Sequence, residues 1–281
     1  KEGGAKASCD IAGILLSMEM ELDASLFIEM RNISVARGDA VVLHDISLRV
    51  GQQEHIAILG PNGCGKSTLI QTLTCQRYPL VRDGSYLRIF GQERWDLSEL
   101  RRHLGVVATE LPGERTPHTT GRDAVVSGFF SSSTLWPHFH VTQQMLERAD
   151  EILHLLEVEH LRNKPVGQMS AGETKRILIG RAIVHRPKIL LLDEPSNGLD
   201  IAAQWELRDT MRRLAQQGTG ILLITHHLSD ILPEIERVVM MQAGRIVADG
   251  SKAQLLTEER LRQLFGVEVE LGERNGFYHA W

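Results

Sequence analysis

Cysteine is scarce in this sequence: Cys9, Cys64 and Cys75 are odd in number and far apart. A disulfide framework is not the expected source of stability, and a reduced compartment, the cytosol, fits best. Long apolar runs are also missing. The longest near the start, Ile11 to Met18, falls well short of the ~20 residues that span a bilayer, so a soluble chain is expected. Basic residues are outnumbered, 31 Lys and Arg against 36 Asp and Glu, and never form a long block. With a net charge of −5, nucleic acid is not the expected partner. Aromatic residues make up only 5% of the chain, and no internal repeat or low-complexity tract occurs. What is present is a chain of 281 residues, long enough to bury a sizeable core in one large domain or one and a half.

The most informative stretch runs Gly60, Pro61, Asn62, Gly63, Cys64, Gly65, Lys66, Ser67, Thr68, directly after the apolar run His55 to Leu59. Glycines at 60, 63 and 65 let the backbone curl so that successive N–H groups converge on phosphate oxygens. Lys66 supplies charge for the β- and γ-phosphates, and the Ser67 hydroxyl is the expected Mg²⁺ ligand. A helix from Ser67 through Thr74 would point its positive dipole end at the same anion. Strand before and helix after are the context that makes such a loop a nucleotide site.

The second informative block spans Met169 to Asp200. A helical stretch through Val184 ends before Pro187, and Lys188 to Asp193 is a buried-strand run closing on two carboxylates. Adjacent residues at a strand end point to opposite sides. Asp193 can therefore hold the Mg²⁺ shell while Glu194 orients or deprotonates an attacking water in line with the γ-phosphate. Consecutive apolar positions before the pair place it at the carboxyl edge of a parallel sheet, where open α/β folds bind ligands.

The remaining chain reads more plainly. Residues 1–25 are excluded from the fold as an extension: the chain opens at Lys1, and Met18 or Met20 would make plausible starts. A signal peptide is the competing view, but Ile11 to Leu16 is short for one and no small-residue cleavage site follows. Phe27 to Ile33, Ala40 to Leu43, Ile46 to Val50 and Gly84 to Gly91 suggest a small antiparallel sheet beside the nucleotide core. Thr119 to Phe130 and Thr142 to Val158 are expected helices. Between them Phe129, Phe130, Trp136 and Phe139 cluster, favouring a subdomain core over a docking face; His138 and His140 lack a third ligand nearby and are assigned no metal. Asp200 to Gln217 is an expected helix closed by Gly218, Thr219 to Thr225 a strand, Arg237 to Met241 and Arg245 to Ala248 a hairpin. Lys252 to Phe265 is expected to be helical, and a terminal hairpin turns at Asn275-Gly276.

Taken together, Gly60 to Thr68, Met169 to Glu173, Ile189 to Glu194, Ser196 to Asp200 and Ile224 to His226 resemble, in order, the five sequence marks of an ATP-binding cassette (ABC) ATPase. The resemblance covers the chain from about Leu26 to Gly250. It implies an α/β fold: a P-loop NTPase core with a parallel sheet, an antiparallel β subdomain and an α-helical signature subdomain at about residues 111–184. Residues 251–281 are then a C-terminal helix and hairpin. Two cassettes would sandwich ATP, with Ser170, Ala171, Gly172 and Glu173 as the signature facing the partner's nucleotide. Asp200 would lie at the dimer seam, and His226 would contact the γ-phosphate and hold the hydrolytic water. The signature's helix N-terminus offers free N–H groups to an anion.

Two positions depart from the family pattern. Arg37 stands where an adenine-stacking aromatic is usual, though a guanidinium also stacks on a base. Thr109, followed by Glu110, replaces a glutamine that in transporters touches Mg²⁺ and links the site to the membrane subunit, which predicts looser coupling. The implied function is the Mg²⁺-dependent ATPase subunit of an ABC transporter, cytoplasmic and peripheral on the inner face of the membrane, working as a homodimer with separate permease subunits. The alternative is a soluble ABC ATPase in assembly or scaffolding without a permease. A ribosome- or nucleic-acid-bound cassette is disfavoured, since no sustained heptads lie between Lys66 and Ser170.

Overall fold

The computed structural model describes residues 26–107, 118–132 and 134–281. Thr109 and Glu110 lie outside the described residues, as does the N-terminal extension. The centre is a six-stranded sheet in the order β5-β6-β7-β3-β8-β9, built from β3 (His55–Leu59), β5 (Leu104–Val107), β6 (Ile189–Asp193), β7 (Gly220–Thr225), β8 (Arg237–Gln242) and β9 (Arg245–Ser251). The first five in that order run parallel, and β9 closes the edge antiparallel to β8. Alternate residues of each inner strand enter different cores. Ala57, Leu190, Leu192, Leu223 and Met240 face one, while Ile56, Ile58, Leu191, Leu222 and Val239 face the other. Burial on both faces is why these strands read as unbroken apolar runs.

One face is covered by α1 (Lys66–Leu73), α2 (Leu97–His103) and the antiparallel sheet β2-β1-β4, formed by β1 (Leu26–Arg37), β2 (Ala40–Gly51) and β4 (Tyr86–Ile89). The two strands expected at Ala40–Leu43 and Ile46–Val50 are one strand, β2, kinked at Asp45. Its φ is +52°, and its N–H donates to Ser34 Oγ at 3.1 Å. A bulge of this kind breaks the alternation without ending the pairing.

The other face carries α3 (Gly121–Val126), α4 (Gln143–Leu155), α5 (Ala171–Ile183) and α6 (Ile201–Gln216), with the C-terminal α7 (Lys252–Leu255) and α8 (Glu258–Phe265). The helix expected over Thr119–Phe130 is α only to Val126 and then a 3₁₀ turn through Phe130. Gly128 there lies so close to α5 that a Cβ would meet Arg181 O at 2.2 Å. The single helix expected over Lys252–Phe265 is broken because Thr257 caps α8, its hydroxyl accepting from Arg260 N. The terminal hairpin forms as expected from β10 (Leu271–Arg274) and β11 (Phe277–Ala280), with Asn275 and Gly276 both at positive φ. Phe130 and Phe139 stack at 4.3 Å and Phe129 packs on the core, while Trp136 is turned outward, 50% exposed. No described helix is long and apolar enough to cross a membrane.

A half-buried histidine, its ring nitrogens shielded from water, gives this fold an acid-sensitive point. His185, just after α5, lines a groove with Arg101, Arg181, Leu104 and Gln76. Among the described residues neither of its ring nitrogens has a hydrogen-bond partner. Burial, aided by His103, pushes its pKa from 6.5 down to about 4. The unfolded chain therefore binds more protons than the native one between these values, and stability falls as pH drops through that window. Urea denaturation at pH 7 and pH 4.5 should show native protein losing of order 2 kcal/mol more than His185→Leu; equal losses would place the acid sensitivity elsewhere.

Candidate functional site

Three loops meet at the carboxyl ends of β3, β6 and β7. The phosphate-type loop follows β3 and leads into α1, whose helix starts at Lys66, one residue earlier than expected, with Gly65 as N-cap at φ +108°. Gly63 is also left-handed, at φ +79°. Gly60 is required for a different reason: a Cβ there would stand 2.3 Å from Met241 O. The loop is propped from outside its own segment. Gly244 N donates to Cys64 O at 2.9 Å, and His44 N to Gly244 O at 2.8 Å, so the β8–β9 turn ties the loop to β2. Cys64 and Thr68 are buried, whereas Asn62 and Ser67 are exposed.

Lys66 is buried, yet its ammonium points into this loop. Nζ donates to Gly60 O at 2.7 Å and Pro61 O at 3.1 Å, and lies 3.4 Å from Glu194 Oε1. Glu194 follows β6 with a left-handed backbone, φ +45°, and its N–H donates to Ile224 O at 2.8 Å on β7. Such a conformation in a non-glycine residue is held by its surroundings and is common at functional sites. His226 follows β7, and its Nδ1 is 2.6 Å from Glu194 Oε2. Asn197 Nδ2 donates to the same oxygen at 2.7 Å, and its Oδ1 lies 3.2 Å from His227 Nε2.

The two carboxylates sit in opposite electrostatic settings. Burial, then the charge of Glu194, pushes the Asp193 carboxyl up, against Lys66 and Lys175. Burial also works to raise Glu194, but the close His226 Nδ1 and the hydrogen bond from Asn197, with the charges of His226 and Lys66, outweigh it and hold that carboxyl below its usual range. Asp193 is thus a half-buried carboxyl whose charged form is disfavoured, while Glu194 is ionised and tethered. An exposed Ser67 hydroxyl and a carboxylate of this kind are donors that suit a hard divalent cation.

The other expected residues lie apart from this cluster. Ser170 caps α5 in a full capping box: Glu173 N donates to Ser170 Oγ at 3.2 Å and Ser170 N to Glu173 Oε2 at 2.7 Å. Lys164 Nζ also donates to Glu173 at 2.8 and 3.0 Å, so the Glu173 carboxylate is committed to its own loop. Ala171 is exposed. Gly172 abuts the first turn of α6, where a Cβ would stand 2.8 Å from Ala203 Cβ. Asp200 caps α6, its Oδ1 accepting from Ala203 N at 2.8 Å. Signature and Asp200 therefore share one exposed face. Arg37 is exposed at the end of β1, two positions beyond Val35, which pairs with Leu43; Leu43 Cδ2 would be 2.8 Å from a Cβ on Gly65.

Residues that sequence reading left unassigned also join the site. Asn197 holds Glu194 from within the quoted stretch Ser196 to Asp200, and only its distance to the carboxylate reveals it. Ser196 and Thr225 meet at a buried Asp230, a convergence that no spacing in the sequence signals.

This arrangement agrees with what the chain resembles. The family model described as ABC transporter matches residues 43–197. The hemin import ATP-binding protein HmuV of Aliivibrio fischeri is 30% identical over 249 residues, spanning 86% of this chain and 92% of that protein. The cobalt import ATP-binding protein CbiO of Rhodobacter capsulatus is 32% identical, spanning 79% and 77%. Among solved structures, cbiO1 of Clostridium perfringens, part of the ABC transporter complex cbiONQ, superposes with a TM-score of 0.71 at 25% identity, covering 85% of this chain and 94% of its own. An ATP-binding cassette of an ABC transporter in its ADP conformation gives 0.75 at 25% identity, covering 86% and 99%. With the phosphate-type loop, the carboxylate pair and the histidine at adjoining strand ends, this chain belongs to the ABC transporter family as one of its ATP-binding cassettes.

Proposed function

We propose that the protein is the Mg²⁺-dependent ATP-hydrolysing subunit of an importer, dimerising around ATP to drive a separate permease at the cytoplasmic face of the membrane. The observation that carries the hydrolytic reading is the convergence of Lys66, Glu194 and His226. Lys66, with the loop amides of residues 60–68, binds the β- and γ-phosphates; the carbonyl and carboxylate oxygens it now contacts stand in for phosphate oxygens. Ser67 and Asp193 hold Mg²⁺, which when bound offsets phosphate charge. Glu194, kept ionised, orients the attacking water, and His226 fixes the Glu194 carboxylate and reaches toward the γ-phosphate. Arg37 stacks on the base.

The second cassette is supported by the exposed face that carries Ser170, Ala171 and Asp200. Beside Asp200, Ile201 and Trp205 are 77% and 51% exposed one helical turn apart, an apolar pair that a partner would cover. The amides of Ala171 and Gly172 at the start of α5 have no acceptor inside their own helix and suit the partner's γ-phosphate. In this reading residues 26–250 form the cassette and 251–281 an appended helix and hairpin. Import as the direction rests on the names of HmuV and CbiO.

The test is co-purification from native membranes at low detergent, followed by ATPase assays with and without Mg²⁺. A multi-span partner whose presence changes Mg²⁺-dependent turnover is expected. Recovery of the protein only in the soluble fraction, with ATPase activity, would instead favour the assembly or scaffolding role.

A further inference from the structure

We infer that Asp230 is a positioning residue that sets the spacing between Glu194 and His226; this rests on the reading of those two side chains as the hydrolytic pair. Asp230 is fully buried, in the short 3₁₀ turn Leu228–Asp230 that follows β7. A carboxylate so placed is costly unless it is paired with a cation and hydrogen-bonded. Its partners come from the two segments that bear the hydrolytic side chains. Ser196 Oγ, two residues after Glu194, donates to Asp230 Oδ2 at 2.5 Å. Thr225 Oγ1, adjacent to His226, donates to the same oxygen at 3.1 Å. The Thr225 hydroxyl in turn accepts from His227 N at 2.9 Å, which fixes the peptide carrying His226.

The second oxygen accepts no hydrogen bond among the described residues and faces a cation instead. Arg208 of α6 is buried, with Nη2 3.5 Å from Asp230 Oδ1. The same Nη2 donates to Ser229 Oγ at 3.0 Å and to Gln204 Oε1 at 3.1 Å. Gln204 Nε2 donates to Leu199 O at 3.0 Å. The segment from Glu194 to Asp200 is thus held at two points, directly at Ser196 and through Arg208 and Gln204 at Leu199. One oxygen of one carboxylate bridges the loop after β6 to the loop after β7. Neither Ser196 nor Thr225 can leave it without changing the contact of His226 with Glu194. The β-ends bring the two residues near each other, Glu194 N donating to Ile224 O at 2.8 Å, but both side chains lie one residue past the paired strand ends, Asp193 and Thr225.

Asp230 itself touches no phosphate-loop residue among its contacts above, so its effect should fall on turnover and spare nucleotide binding. The test compares kcat, KM for Mg·ATP and equilibrium ATP affinity in the full chain for Asp230→Asn, Ser196→Ala, Thr225→Val and Glu194→Gln. Asp230→Asn keeps the shape but turns an amide toward Arg208 or toward the two hydroxyls. Its kcat is expected to fall on the order of 10- to 100-fold with ATP affinity within about threefold, as for a displaced but intact catalytic pair. Adding Ser196→Ala to Asp230→Asn should then cost little more, because both remove the same link. If Asp230→Asn does not fold, Ser196→Ala and Thr225→Val decide: lower kcat at unchanged affinity supports the inference, and native kcat in both overturns it. Native kcat in Asp230→Asn overturns it, as does a parallel fall of kcat, ATP affinity and unfolding midpoint, the mark of a merely structural buried charge. Persistent turnover in Glu194→Gln would remove the hydrolytic reading itself, and the inference with it.

Discussion

Glu194→Gln should bind Mg·ATP normally, lose turnover by about 10²- to 10⁴-fold, and accumulate as an ATP-dependent dimer. The substitution keeps size, the hydrogen bond from Asn197 at 2.7 Å and the contact with His226 Nδ1 at 2.6 Å from Oε2. What it removes is the negative charge that polarises water. Because its neighbours hold the Glu194 carboxyl below the usual range, it is ionised throughout neutral pH. A base of that kind works by orienting and polarising water more than by accepting a free proton. With hydrolysis blocked, the sandwiched state has no exit, so the Asp200 face with Ile201 and Trp205 stays covered. Size-exclusion chromatography with and without ATP, beside a phosphate-release assay, reads both effects. Monomer alone in ATP together with continuing hydrolysis would refute both the base assignment and the sandwich.

Lys66→Ala should lose ATP affinity by roughly 10- to 100-fold, the worth of one charge-assisted hydrogen bond to phosphate. The ammonium is buried between Gly60 O, Pro61 O and Glu194 Oε1. Removing it therefore leaves phosphate charge uncompensated in a loop shaped for it, and leaves Glu194 with less positive charge nearby. The fold should survive, since Leu69, Ile70 and Leu73 of α1 remain packed in the core. Isothermal titration with Mg·ATP, together with thermal unfolding, separates the two effects. Unchanged affinity in a folded variant would mean that the loop is not the phosphate site.

These expectations were largely legible in the sequence because the chemistry of the site is local. Glycines at 60, 63 and 65 followed by Lys66, the apolar run into Asp193 and Glu194, and the helix opening at Met169 to Glu173 each specify their own backbone within a few residues. Period and capping rules act over that range, so element types came through well. Failures are equally local. The kink at Asp45 and the break before Thr257 arise where a side chain bonds to backbone, a competition that hydrophobic periodicity does not register.

Sequence by itself determined the phosphate-type loop, the paired carboxylates, the histidine and the strands and helices that carry them. Only the tertiary structure decided which strand ends are neighbours. The order β6-β7-β3 puts β7 between the carboxylate strand and the phosphate-loop strand, and from these neighbouring strand ends His226 and Lys66 each reach a different oxygen of Glu194. Burial on both faces makes all the inner strands look alike in sequence, and pairing between them is non-local; nothing in a strand's own pattern names its neighbour. The same holds for the bond from Gly244 to Cys64 that props the loop, and for Asp230, whose partners lie 34 and 5 residues away. A buried carboxylate declares its role only once the hydroxyls and the guanidinium that surround it have been brought together by the fold.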